Sequence, residues 1–348
     1  MKRLYRFFVV GLTLCLTACN SWKTPESTVD ARPVIFPDYT EVTVPSNIAP
    51  LNFMVEDADY IQASFSHNGI EGLRVKGKDG VIRIPFKKWQ EFVKTAEGGN
   101  IDVQVSVWNQ ECPEGMACAT FPIHVVKDGI DPWISYRLIE PGYVGWRQLG
   151  IYQREMSSFE ETPIVTNRAS NTTCLNCHNY PSYSPESMMF HARGKNGGTI
   201  LYNKGKLSKI DFKSIGPKKN TTYPAWHPEG RYIAFSSNTT HQIFFGQGKQ
   251  PIEVFDTASD LVIYDTVTGD VLTDPRFMTE ESLETFPSWS PDGKTLYFVS
   301  YAAESLPVRF NASIRYDLFR VSFDPETGAL GSEIDTLYNS RIQFGSVS

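Results

Sequence analysis

The segment Cys174-Leu175-Asn176-Cys177-His178 concentrates more reactive chemistry than any other stretch of this 348-residue chain. Two thiols lie three positions apart, and an imidazole follows the second directly. Such a group can exchange disulfides, hold a metal, or be bonded to a ligand through sulfur. Disulfide exchange of the thioredoxin kind calls for a βαβ context, and none surrounds the segment. A zinc centre calls for further Cys or His at ligand spacing, and only His191 lies close. Chance alone would give this pattern roughly once in several hundred chains of such composition.

The five residues resemble the attachment segment of c-type haem. In that pattern the two thiols bond to two vinyl groups on one porphyrin edge, so they sit one short turn apart. The following His reaches beneath the ring as proximal iron ligand. The resemblance therefore implies haem c, thioether links from Cys174 and Cys177, and iron held by His178. A second axial ligand is sought in residues 185–194, with His191 first and the sulfurs of Met188 and Met189 as alternatives. Two Met and a Phe also suit core packing, and a lone His also suits a satisfied surface, so both readings stand. Arg193, with Lys195 near it, can pair with a haem propionate or belong to a solvated face.

Haem of this type is attached outside the cytoplasm, which calls for an exported chain. Lys2, Arg3 and Arg6 precede a short apolar stretch, residues 7–17, too short to span a bilayer. It ends in Leu16-Thr17-Ala18-Cys19, which resembles the bacterial lipobox. The resemblance implies cleavage before Cys19, acylation of its thiol, and a membrane anchor of several acyl chains. Ser21 after Asn20 favours the outer membrane by the sorting rules of that class, facing the periplasm or the surface. Removing the signal takes three positive charges from a formal net charge of −6. With no basic block either, nucleic acid is excluded as a partner.

The remaining cysteines fit the same compartment. Cys15 leaves with the signal, and Cys112 and Cys118 bracket a turn between two strand-like runs, where a disulfide is expected.

Five segments follow from the patterning: a signal over 1–19, a flexible tether over 20–33, a β module over 34–128, a haem-binding connector over 129–195, and a repeat region over 196–348. The β module shows short alternating runs at 41–45, 51–55, 60–65, 73–75, 81–85, 101–108 and 119–126, with a helical run at 87–96. Seven strands in this length suggest an immunoglobulin-like sandwich. In the connector, Trp133, Tyr136, Tyr143, Trp146 and Tyr152 are too many rings for a solvated linker. They are expected to wall the haem or to form a packing belt.

Tyr223-Pro224-Ala225-Trp226-His227-Pro228-Glu229-Gly230 recurs 63 positions later as Phe286-Pro287-Ser288-Trp289-Ser290-Pro291-Asp292-Gly293. Each copy leads into an apolar strand and an acidic turn. The pair resembles the TolB-type propeller repeat, a relative of the WD repeat, and implies four-stranded blades with a Gly-containing turn inside each. His227 stands where the other copy has Ser290, on a rim expected to be solvated, so it is not taken as an iron ligand. Runs at 199–202 and 207–212 supply outer strands of one more blade. Two blades and a part make an incomplete propeller, as if the gene product were truncated near residue 348.

The whole is thus expected to be mainly β: sandwich, haem segment, partial propeller. Its expected role is electron transfer or redox sensing, with an envelope protein or redox partner docking on the propeller. A TolB-like scaffold with structural or absent haem is the alternative. A haem peroxidase with an open distal position is the enzymatic one. No Gly-x-Ser-x-Gly elbow is present for a hydrolase.

Cys19→Ser should move the protein from the membrane to the soluble periplasmic fraction and end acyl labelling. Continued labelling would mean that Leu16-Thr17-Ala18-Cys19 is not a lipobox.

Overall fold

The computed structural model describes residues 22–139, 149–170, 174–194, 197–216, 218, 220–247, 252–303 and 315–340. The signal, Cys15, Cys19, Tyr143, Trp146, Lys195 and residues 341–348 lie outside the described residues. Two compact parts divide the chain, 1–135 with 153–162, and 136–152 with 163–348.

The first part holds β1 (Ser27–Thr28), β2 (Thr43–Pro45), β3 (Phe53–Met54), β4 (Tyr60–His67), β5 (Ile70–Lys78), β6 (Val81–Ile82), α1 (Phe86–Thr95), β7 (Asn100–Trp108), β8 (Met116–Ala117) and β9 (Phe121–Val126). β7 is the spine of a seven-stranded sheet: β4, then β5, follow one edge, while β8–β1 and β9–β2 share the other. Alternate residues of these strands face one core, among them Ile61, Ala63, Phe65, Ile101, Val103, Val105 and Val107. The strand period of two explains that selection.

What covers this face is not a second large sheet, as an immunoglobulin-like sandwich requires. Helix α1 lays Trp89, Phe92 and Val93 against it, and the small β3–β6 ribbon completes the cover. The helical spacing of the three apolar residues is the physical reason. The opposite face is covered by residues expected as a flexible tether. The Gln62 amide donates to Lys23 O at 2.8 Å and accepts from Lys23 N at 2.9 Å. β1 then pairs parallel with β8.

The expected Cys112–Cys118 disulfide is not formed. The Cys112 thiol donates to Asn109 Oδ1 at 2.9 Å, and Cys118 is a buried free thiol. Burial, and Cys112 nearby, push the Cys118 thiol up.

Strands β10 (Trp133–Ile139), β11 (Leu149–Glu155) and β12 (Glu161–Thr166) form a three-stranded sheet in the aromatic segment. Three four-stranded antiparallel meanders follow. The first is β13 (Leu175–Asn179), β14 (Ser187–Ala192), β15 (Gly198–Asn203) and β16 (Lys206–Ile210); the second is β17 (Thr222–Trp226), β18 (Tyr232–Phe244), β19 (Ile252–Asp265) and β20 (Val271–Leu272). The third is β21 (Ser282–Trp289), β22 (Thr295–Ala302), β23 (Asp317–Asp324) and β24 (Ala329–Tyr338). Four-stranded meanders in succession are the building pattern of propeller blades. The boundary expected at 195/196 falls between the paired strands β14 and β15. The run at 199–202, and that at 207–212 as far as Ile210, therefore belong to a further blade-like sheet, whose first two strands come from the Cys-rich segment.

Two apolar clusters lie between successive sheets. Met189, Leu201, Phe212, Trp226 and Phe235 join the first to the second. Tyr232, Ile263, Leu296, Phe298 and Phe323 join the second to the third. His227 is fully buried, contrary to its expected place on a solvated rim. Its Nε2 bonds the Gly293 carbonyl at 2.9 Å, its Nδ1 accepts from Glu229 N at 3.2 Å, and its ring meets Trp289 edge-on at 5.0 Å. One imidazole thus ties the turn of the second sheet to the turn of the third.

His227→Ala should cost about 2–4 kcal/mol in urea unfolding, from the cavity and an unpaired carbonyl. Gly293 has φ +70° and a Cβ there would lie 2.3 Å from His227 Nε2. Gly293→Ala should therefore destabilise more in the wild type than in His227→Ala. Equal penalties in both backgrounds would show that the two turns are not clasped.

Candidate functional site

The first strand of each meander carries a register shift at one place. It falls between Asn176 and Asn179 in β13, Thr222 and Ala225 in β17, and Thr285 and Ser288 in β21. Each shift encloses a residue in the left-handed region: Cys177 (φ +54°), Tyr223 (φ +45°) and Phe286 (φ +52°). These three are structural equivalents, and an aromatic follows each by three positions: Tyr180, Trp226 and Trp289. The Cys-rich segment is thus a further copy of the repeat. Sequence comparison missed it because Cys177-His178 replaces the aromatic-Pro pair. Its turn is also one residue longer, since Asn176 faces His191 where Thr222 faces Ser236.

The bulge residues form a row. The Tyr223 N–H donates to the Cys177 sulfur, and the Tyr223 and Phe286 rings lie 4.4 Å apart. Burial pushes the Cys177 thiol up, against the lowering pull of that N–H and of the Arg193 and Arg137 charges.

Cys177 lines a cavity of about 440 Å³, together with Asn176, His191, Arg193, Thr199, Lys209, Lys213, Thr222 and Asn238. His191 is buried. Its Nδ1 bonds the Thr199 hydroxyl at 2.9 Å, and its Nε2 has no partner. Burial first, and then the Arg193 charge, push its pKa down to about 4, so the ring is neutral. Arg193 is fixed at its backbone, where its N–H donates to Cys174 O at 2.9 Å.

The structure therefore brings three of the expected residues, Cys177, His191 and Arg193, to one cavity. It does not bring the others. Cys174 is buried outside the lining, and His178 sets its ring edge-on to Tyr180 at 6.0 Å. Met189 is fully buried in the core between the first two sheets, and Met188 is buried on the alternate face of β14. Thr199, Lys209, Lys213 and Tyr223 were not legible as site residues. Only the strand register assembles them.

The fit to a haem is uneven. A neutral imidazole with an unpartnered Nε2 beside a thiol of the attachment pattern suits an iron ligand. The extended conformation of residues 175–179, and the burial of Cys174 apart from the cavity, do not yet set both thiols on one edge. Among the described residues no group of three or more His, Cys, Asp or Glu converges as a metal site.

No protein-family model matches the chain, and no curated protein matches it. Among solved structures, it is similar to the β-propeller domain of the Trilobed protease from Pyrococcus furiosus, with TM-score 0.33, 13% identity, and 60% of this chain covered. It is similar to an ancestral GH74 enzyme, with TM-score 0.34, 11% identity and 92% covered. A dipeptidyl aminopeptidase IV-type protein from Bacteroides ovatus gives TM-score 0.20, 15% identity and 56% covered. The chain spans 54, 40 and 37% of these three solved chains respectively.

The neutral His191 has a consequence for stability. Its folded pKa, about 4, lies below the ordinary 6.5, so its contribution is full above 6.5 and is lost as pH falls toward 4. In haem-free protein, His191→Leu should flatten the fall in unfolding free energy, read from urea melts over that window, by up to about 1.4 kcal/mol per pH unit. Parallel curves for the two proteins would mean that the ring titrates as if solvated.

Proposed function

We propose that this chain is a lipid-anchored envelope protein carrying one covalent c-type haem, acting in electron transfer or redox sensing. The observation that carries the reading is His191, a buried imidazole with an unpartnered ring nitrogen, lining the same cavity as Cys177. Two features far apart in type, an attachment pattern and a buried imidazole with a free ring nitrogen, meet in one place. Cys174 and Cys177 would hold the group by thioether bonds, and His178 and His191 would supply imidazoles to its iron. When bound, the haem supplies a one-electron couple. The chain's own residues set its surroundings. Thr199, accepting from Nδ1–H, would leave Nε2 with the lone pair that a bond to iron needs. Arg193 would meet carboxylate charge at the mouth. The three blade-like sheets offer the surface on which an envelope or redox partner docks.

A second reading keeps the sheets and drops the cofactor. Cys174 is buried, and the Cys177 sulfur accepts from Tyr223 N–H, so both thiols also serve the packing of an inner strand. This favours a scaffold of the TolB kind.

One experiment separates them. Expressed with a haem-maturation system, the protein should keep its haem through acid–acetone extraction, and Cys174→Ala/Cys177→Ala should carry none. A reduced spectrum indifferent to carbon monoxide marks six-coordinate iron, and His191→Ala should then make it responsive. Binding of the gas by the wild type would point to an enzyme or sensor with an open position. Haem that extracts freely, or no haem at all, would leave the scaffold.

A further inference from the structure

The cavity beside Cys177 carries more positive charge than its lining balances. Arg193, Lys209 and Lys213 line it, against a single carboxylate, Asp211. Asp211 is already engaged, accepting from Lys213 N at 3.1 Å as the cap of the short helix α2 (Phe212–Ile215). None of the three cations has an ion-pair partner among the described residues. Elsewhere in the same sheets, by contrast, a cation of this kind is paired: Lys218 with Asp260 at 2.6 Å, Arg231 with Asp265 at 2.7 Å and Arg276 with Asp274 at 2.6 Å.

The lysine at position 209 is also positioned rather than merely exposed. Its stem lies across Gly198, where an added Cβ would come within 2.7 Å of Lys209 Cε. The charge of Arg193 reaches His191, Cys177 and Tyr223 alike. The lining includes His191, itself buried with an unpartnered Nε2, and the polar residues Asn176, Thr199 and Thr222.

We infer that this cavity is a carboxylate-binding site, in which Lys209 and Lys213 with Arg193 hold a ligand bearing two carboxylate groups. Two sources share that chemistry. One is the carboxylate edge of the haem proposed above, and for that source alone the inference rests on the haem reading. The other is a free dicarboxylic acid. Unpaired cations around a concave site bind such groups by charge-assisted hydrogen bonds, and bidentate geometry favours Arg for one of them.

Succinate is the probe. Titrated calorimetrically into wild-type protein made without haem maturation, it should bind saturably and more weakly as salt is added. Lys209→Gln/Lys213→Gln should weaken it about tenfold or more, with an unchanged melting curve as the check on folding. Haem-loaded wild type distinguishes the sources. If haem carboxylates fill the site, the loaded protein takes up no succinate, and the two lysine substitutions shift the midpoint potential and its pH dependence. If the ligand is a free dicarboxylate, the loaded protein binds succinate as the haem-free one does. A wild type that never acquires covalent haem would defeat the haem reading while leaving the succinate titration to decide this one. Absence of succinate binding to folded haem-free protein, with a potential (where haem is present) unmoved by the lysine substitutions, would overturn the site. Binding indifferent to both lysines would overturn it equally.

Discussion

Everything distinctive about the site depends on a left-handed residue in the middle of an inner strand. For an ordinary L-residue that conformation costs about 1–2 kcal/mol, and it breaks the alternation that the strand would otherwise impose. The second and third sheets offset the cost by packing the re-aimed rings of Tyr223 and Phe286 against each other at a tilt. In the first sheet the same bulge re-aims a thiol. A thiol is much smaller than the ring it replaces, so the row ends at a cavity rather than at a third ring. The position of Cys177 is therefore a property of the repeat, and what the site adds is the residue type.

The electrostatics follow from that cavity. An ionised imidazole beside Arg193 would set two cations together in a poorly solvated place, and the depressed pKa of His191 expresses the conflict. The neighbouring sheets treat buried charge differently. Asp260 and Asp265 each take a cation, and Glu284, buried with one oxygen bonded by Ser300 at 3.0 Å, is pushed up by burial toward its neutral form. Charge is thus either paired or suppressed inside the sheets. At the cavity it is suppressed at His191 and left unpaired at Arg193, Lys209 and Lys213, which is the arrangement a ligand could complete.

How much of this was legible in the sequence varied with how local the cause was. The two long repeats were plain because Pro, Gly and Trp act within a few residues of themselves, and Gly230 and Gly293 do adopt positive φ in the turns. The helix near 87–96 was plain from the spacing of Trp89, Phe92 and Val93. What was not legible depends on register. The first blade-like sheet was hidden because its repeat begins with Cys177-His178. Burial of His227 depends on the Gly293 carbonyl of the next sheet, 66 residues on. The docking of residues 22–28 depends on the Gln62 amide.

The motif and the strand make opposing demands, and the bulge is where they meet. Attachment through two thiols requires positions 174 and 177 to serve one porphyrin edge. In a regular strand, residues three apart face opposite sides of the sheet. A bulge inserts one residue and so changes that parity from its site onward. Position 177 is the bulge residue, and the thiol of Cys174 is near enough for its charge to raise that of Cys177. A Cys-x-x-Cys-His segment placed elsewhere in an inner strand would keep its thiols apart. Placed across this bulge, it is at the one point of the strand where the spacing and the pleat can be reconciled.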